Sequence, residues 1–197
     1  MDKPSIETIA TTSGDVEIYS LTARTLHWLV VVLLAVQIPV GFYMAYRGND
    51  LNIWDALTNN LYSLHKLGGL AILAVVILRL LYRLTAGAPR HEPSLEGWQC
   101  VVSELNHWGL YLLLLVVPVL GYLGVAYFPA LDAFGFKIPA LVAPDKAMSE
   151  TVFFWHMVGA FALLTLIAMH IGAALFHYII RGDNVLGRML PGLLRRV

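Results

Sequence analysis

Residues 151–180 carry no Asp, Glu, Lys or Arg, yet this run contains His156 and His170, fourteen residues apart. An apolar stretch of about 20 residues is enough for a helix to cross the hydrocarbon core of a bilayer, and this one is longer. Fourteen helical residues advance about 1400°, roughly 40° short of four full turns, and rise about 21 Å, so both imidazoles leave one face of the helix at two depths. Ionisable rings inside a span are costly unless they face the protein interior and find partners there. The rest of the chain must therefore supply partners at two levels.

Three further runs are long and apolar enough to span, at about 25–46, 64–84 and 105–131. With 58% hydrophobic and 13% charged residues, the chain is too apolar for an ordinary soluble domain. These runs predict an all-α integral membrane protein, a four-helix bundle with helices at about 25–46, 64–84, 105–131 and 151–180. Residues 1–18 read as a polar N-terminal tail, mobile or loosely docked, residues 19–191 as the transmembrane domain, and 192–197 as a C-terminal tail. Formal net charge is +0, and no basic footprint for nucleic acid is present.

The distribution of charge sets an orientation. Lys3, Arg24, Arg79, Arg83, Arg90, Arg181, Arg188, Arg195 and Arg196 fall on one side of the expected topology, against Arg47, Lys66, Lys137 and Lys146 on the other. The positive-inside rule then predicts both termini in the cytoplasm, with a bacterial inner membrane as the expected location. The N-terminus lacks the basic start and short apolar core of a signal peptide, and no processing is expected. Cys100 is the single cysteine, so neither a disulfide nor a Cys-x-x-Cys-His haem attachment exists, and any haem must be held non-covalently.

At the fourteen-residue offset, all four helices show a related pattern: His27 with Gly41, His65 with Arg79, His107 with Gly121, and His156 with His170. Two levels result. His65 and His156 share the outer one, and His27 and His170 the inner one. Where one helix offers a ligand, another offers glycine, which lets a bulky flat group approach the backbone. Each histidine pair suits haem iron, because the porphyrin supplies four equatorial nitrogens and leaves two axial positions for imidazoles. With both filled, no open position remains for oxygen, and electron transfer is favoured. Arg24, Arg79 and His107 are candidates to meet the inner propionates.

Not every histidine has to take part. His91 and His177, taken singly, read as interfacial or packing residues, and His107 stands between a haem-edge contact and an ordinary interfacial ring. A divalent-metal transporter is disfavoured, because the spans lack the carboxylates such sites recruit.

Several segments together closely resemble the prokaryotic cytochrome b561 family. They are Arg24-Thr25-Leu26-His27-Trp28, Leu64-His65-Lys66-Leu67-Gly68, Arg79-Leu80-Leu81-Tyr82-Arg83, Gly109-Leu110-Tyr111-Leu112-Leu113, Trp155-His156, His170, and Asp183-Asn184-Val185-Leu186-Gly187-Arg188-Met189-Leu190-Pro191. The resemblance runs from about Tyr19 to Pro191. It implies a four-helix cytochrome with two haem b groups exchanging electrons with the quinone pool. It also implies His27 with His170 and His65 with His156 as axial pairs, in agreement with the pairing by depth. One well-known type within the family oxidises superoxide and reduces ubiquinone; similar modules pass electrons from a periplasmic dehydrogenase or hydrogenase to quinone.

On the superoxide reading, Lys66 and Arg47 would attract the anion at the outer face. Lys66 equally suits an outer propionate or a lipid phosphate. His177, seven residues after His170 and nearly on the same face, is placed to hydrogen-bond a quinone carbonyl near the inner haem, while a site near Trp155 is equally allowed. The expected partners are the lipid bilayer, quinone, and superoxide or a periplasmic redox donor, and a homodimer is compatible with the sequence. No role follows for the N-terminal extension.

Overall fold

A computed structural model describes residues 10–13 and 16–195; side chains are described from residue 16 onward. Two short strands, β1 (Ala10–Ser13) and β2 (Val16–Tyr19), pair antiparallel with Ala10 opposite Tyr19. Four long helices follow: α1 (Leu21–Ala45), α2 (Ala56–Ala86), α3 (Gly97–Tyr127) and α4 (Lys146–Phe176). Wider π-type turns extend α1 over Tyr46–Asp50 and α4 over His177–Arg181. Between α3 and α4 lies a two-residue antiparallel pair, β3 (Asp132–Ala133) and β4 (Phe136–Lys137).

All four helices are long and apolar enough to cross a membrane. Their apolar surface is turned outward, with Leu105 at 69% and Ile180 at 70% exposure, the reverse of a water-soluble core.

Three of the four helices begin eight, eight and five residues earlier than the hydropathy runs suggest, at Ala56, Gly97 and Lys146. Capping chemistry sets those starts. Asp55 accepts the Thr58 N–H at 2.9 Å and Asp145 accepts the Met148 N–H at 3.0 Å, each satisfying an otherwise unpaired first-turn donor. At α3, Glu96 O accepts the Gln99 N–H while Gln99 Oε1 accepts the Glu96 N–H, a reciprocal cap. Hydropathy marks the part of a helix that lies in lipid, whereas caps mark where the helix starts. The third run, expected to reach residue 131, ends at Tyr127 because Pro129 cannot continue the backbone ladder.

The chain divides into two compact units. One comprises the residues up to 27, 78–111 and those from 164 onward; the other comprises 28–77 and 112–163. Each contains a segment of every long helix.

Within the N-terminal segment, residues 16–19 form a docked strand paired with residues 10–13; residues 1–9 and 14–15 lie outside the described residues. Arg188 Nε–H donates to Glu17 O at 2.7 Å, the Tyr19 N–H donates to Arg188 O at 3.2 Å, and Ile18 is buried. Arg188, itself buried, also sits 4.0 Å from Glu92 Oε2. One arginine thus ties the strand to the loop before α3 and to the C-terminal segment.

Candidate functional site

In the unit formed by 28–77 and 112–163, α2 presents His65 and α4 presents His156, their ring centroids 6.2 Å apart. The two remaining helices each bring a glycine to these rings. A Cβ built on Gly41 would stand 2.8 Å from His65 Cε1, and one on Gly121 would stand 2.9 Å from His156 Cε1. The sequence pattern of histidine against glycine is thereby given a concrete cause: the glycines clear space for the imidazoles themselves. His156 Nδ1–H donates to Val117 O at 2.9 Å, which leaves the Nε2 lone pair free to meet a metal ion. On the other side, Gln37 Nε2–H donates to His65 O at 2.7 Å, and the His65 Nδ1 atom is buried with no hydrogen-bond partner among the described residues.

The other unit holds a crowded counterpart. His27 of α1 and His170 of α4 have centroids 6.1 Å apart, and His107 of α3 comes within 5.2 Å of His170. All three are partly buried. Ser103 Oγ lies 3.3 Å from His107 Nδ1. Arg79 of α2 lies within electrostatic reach of His27 and His170, and its Nε–H donates to Tyr111 Oη at 3.0 Å. Arg79 Nη1 and Arg24 Nε are buried and lack a hydrogen-bond partner among the described residues. Unspent guanidinium donors in such a place call for anionic oxygen. Arg79 also lines a small open cleft with Tyr19, Ala23, Tyr82, Arg83 and Tyr111.

Two imidazoles on opposite sides of one metal ion, each nitrogen about 2 Å from it, have centroids roughly 6 Å apart. Both His65 with His156 and His27 with His170 meet that condition, and the buried guanidinium donors suit a carboxylate-bearing macrocycle. The residues present therefore fit a haem at each level.

The chain matches the model of the family described as prokaryotic cytochrome b561 over residues 18–192. It belongs to the prokaryotic cytochrome b561 family. It is 31% identical over 182 residues to cytochrome b561 homolog 1 of Escherichia coli strain K12, covering 88% of this chain and 97% of that protein. Cytochrome b561 homolog 2 of the same strain is 28% identical over 176 residues, covering 88% and 92%. A Yersinia pestis protein named probable superoxide oxidase CybB is 26% identical over 175 residues, covering 88% and 96%. As a cytochrome b561 family member, this chain is a multi-pass bacterial membrane protein of the haem-binding, electron-transferring, oxidoreductase type.

The remaining residues singled out in the sequence lie in varied settings. Lys66 Nζ–H donates to Ala130 O at 2.9 Å and also to Asp132 O, clamping the loop that leads into β3. Its hydrogen-bond partners are main-chain carbonyls, and the Asp132 carboxylate lies within electrostatic reach. Arg47 instead forms a 2.6 Å ion pair with Asp55, and its charge is locally cancelled. The Thr58 N–H and then Arg47 hold the Asp55 carboxyl below the usual carboxylate range. His91 is exposed and lies 3.4 Å from Glu104, apart from the other rings. His177 is buried and bonded to Asp183, a partner that spacing along α4 could not reveal. Gln37, Tyr111 and Val117 O were likewise missed: a glutamine, a tyrosine and a main-chain carbonyl carry no distinguishing sequence signal, and only packing brings them to the His65 carbonyl, Arg79 and the His156 ring.

Proposed function

We propose that this protein is a di-haem b cytochrome of the bacterial inner membrane that takes electrons from superoxide and delivers them to ubiquinone. The observation that carries this reading is the matched separation of the two histidine pairs, 6.2 Å for His65 with His156 and 6.1 Å for His27 with His170. His107 sits closer to His170, at 5.2 Å, a spacing that departs from both. His27 is therefore assigned as the ligand opposite His170, and His107 joins Arg24 and Arg79 in holding propionates.

Haem held by His65 with His156, or by His27 with His170, would supply reversible one-electron chemistry and leave no position on the iron open to oxygen. In the overall reaction, two superoxide anions each lose one electron and leave as oxygen. One ubiquinone gains those two electrons and two protons to become the quinol. The name of the Yersinia pestis relative supports superoxide as the donor. Lys66, an outer cation whose hydrogen bonds go to main-chain carbonyls, raises the local concentration of a small anion. His177, at the far end of α4, holds the quinone by a carbonyl oxygen.

The test is haem per chain on detergent-purified protein, measured as the pyridine haemochrome, with reduced-minus-oxidised spectra for His27→Ala and His65→Ala. Two b haems in the wild type and one in each variant are expected. A His27→Ala protein that retains both, with His107→Ala losing one, overturns the inner pairing. Absence of haem from well-folded wild type overturns the whole reading.

A further inference from the structure

His177 and Asp183 form the most tightly held charged pair near the end of α4. His177 Nδ1 and Asp183 Oδ2 are 2.6 Å apart, and the two side chains are only 9% and 8% exposed. An ionised carboxylate only accepts, so the ring must carry its hydrogen on Nδ1 and present Nε2 outward from the pair. The carboxylate is itself fixed. Ser94 Oγ–H donates to the same Oδ2 at 3.0 Å, and the Val185 N–H donates to Oδ1 at 3.2 Å.

The surrounding chain is shaped to keep this geometry. After the wide turn His177–Arg181, Gly182 adopts φ 70°, a left-handed conformation that glycine takes without steric cost, and the Asp183 N–H then donates to His177 O at 3.3 Å. Other charges on the adjoining segments have partners of their own. Arg181 donates to Ser94 O at 2.9 Å and lies 3.4 Å from Glu96, and Arg195 donates to Tyr178 O at 2.6 Å. Asp183 is thus the carboxylate bonded to the imidazole, and His177 is not needed to cancel another charge.

We infer that Asp183 is a positioning residue for quinone reduction, holding the Nδ1–H of His177 so that the ring, when it takes a second hydrogen on Nε2 as the imidazolium, can hydrogen-bond a quinone oxygen through Nε2 and pass it a proton. This rests on the quinone reading of His177 given above. As ubiquinone gains its two electrons, the His177 imidazolium gives its Nε2 proton to one quinone oxygen; the neutral ring keeps Nδ1–H on Asp183 and recovers a proton from water. Asp183 stays ionised throughout and transfers nothing, and the second proton reaches the other oxygen from solvent.

The experiment is steady-state ubiquinone reduction by the purified, haem-loaded protein, with haem content, haem spectra and thermal stability measured alongside. Asp183→Asn removes the carboxylate that faces the imidazolium and can offer N–H instead of an acceptor to Nδ1, so the ring loses the doubly protonated form that gives a proton from Nε2. It should lower kcat about tenfold or more, as loss of a buried orienting partner commonly does. Haem content and spectra should stay unchanged, and Asp183→Glu should recover part of the rate. Ser94→Ala, which removes one support of the carboxylate, should slow turnover a few-fold and serves as the test if Asp183→Asn is unstable. The double variant Asp183→Asn with His177→Gln should be no slower than His177→Gln alone, because an orienting residue has no effect without the group it orients. If His177→Gln leaves quinone reduction intact, the quinone reading of His177 fails. If His177→Gln slows turnover but Asp183→Asn and Ser94→Ala do not, the positioning role fails and the quinone reading stands.

Discussion

At the scale of single residues, the histidines are set by what is removed as much as by what is added. Gly41 and Gly121 stand where any Cβ would run into an imidazole. Alanine in place of glycine inside a helix ordinarily adds about 1 kcal/mol of helix stability. At Gly41 that gain is opposed by a 2.8 Å contact with His65 Cε1, an atom of a ring held between helices. Gly41→Ala is therefore expected to shift the spectrum or lower the occupancy of the outer haem while leaving the inner one unchanged. Reduced-minus-oxidised spectroscopy reads both; an unaltered outer signal would show that the ring moves without consequence. The histidines and their glycine counterparts were legible in the sequence, because a fourteen-residue period places them at matching depths. Their hydrogen-bond partners were not. Val117 O and Gln37 reach His156 and His65 only because separate helices pack together.

At the scale of elements, the helices are apolar rods whose interiors follow from lipid and whose ends follow from local polar chemistry. Asp55, Glu96 and Asp145 start three of them upstream of the apolar runs. Strand β2 is a different kind of element, short, paired with β1 and tied to the rest of the chain by long-range bonds. Its anchor is Arg188, 171 residues away along the chain, through the 2.7 Å bond to Glu17 O. A hydrogen bond involving a charged group contributes on the order of 1.5–3 kcal/mol, so Arg188→Ala should lower stability by about 2 kcal/mol and release β2. Thermal unfolding in detergent and faster amide hydrogen exchange over residues 16–19 check this. Unchanged exchange there would mean that the strand is held by Ile18 and its apolar contacts instead. A strand this brief has too little alternation to be seen in the sequence, and residues 1–18 read there as a tail.

At the scale of the whole molecule, four long apolar helices commit the chain to a bilayer, and the uneven spread of its lysines and arginines sets the expected orientation. Nine of the thirteen lysines and arginines fall on the side of the expected topology that holds both termini. Both termini are accordingly expected in the cytoplasm. In a Cys100→Ser background, Lys137→Cys in the loop between α3 and α4 should react with a membrane-impermeant maleimide in right-side-out vesicles. A cysteine replacing Ser94 should react only after permeabilisation, and the reverse pattern would invert the topology.

What the sequence by itself determined is whatever depends on one helix at a time: the number of spans, their charge bias, and the depth of every histidine along its own axis. Those follow from the length and periodicity of a single rod in lipid. Only the tertiary structure decided what depends on several rods at once. It set the 6.2 Å and 6.1 Å separations of the two histidine pairs, brought His107 beside His170, engaged Lys66 with loop carbonyls, and joined His177 to Asp183. The reason is geometric. The sequence fixes where a side chain lies along its helix, but which neighbour it faces depends on how each helix is rotated and packed, and lipid-facing apolar residues distributed around a span leave that rotation open.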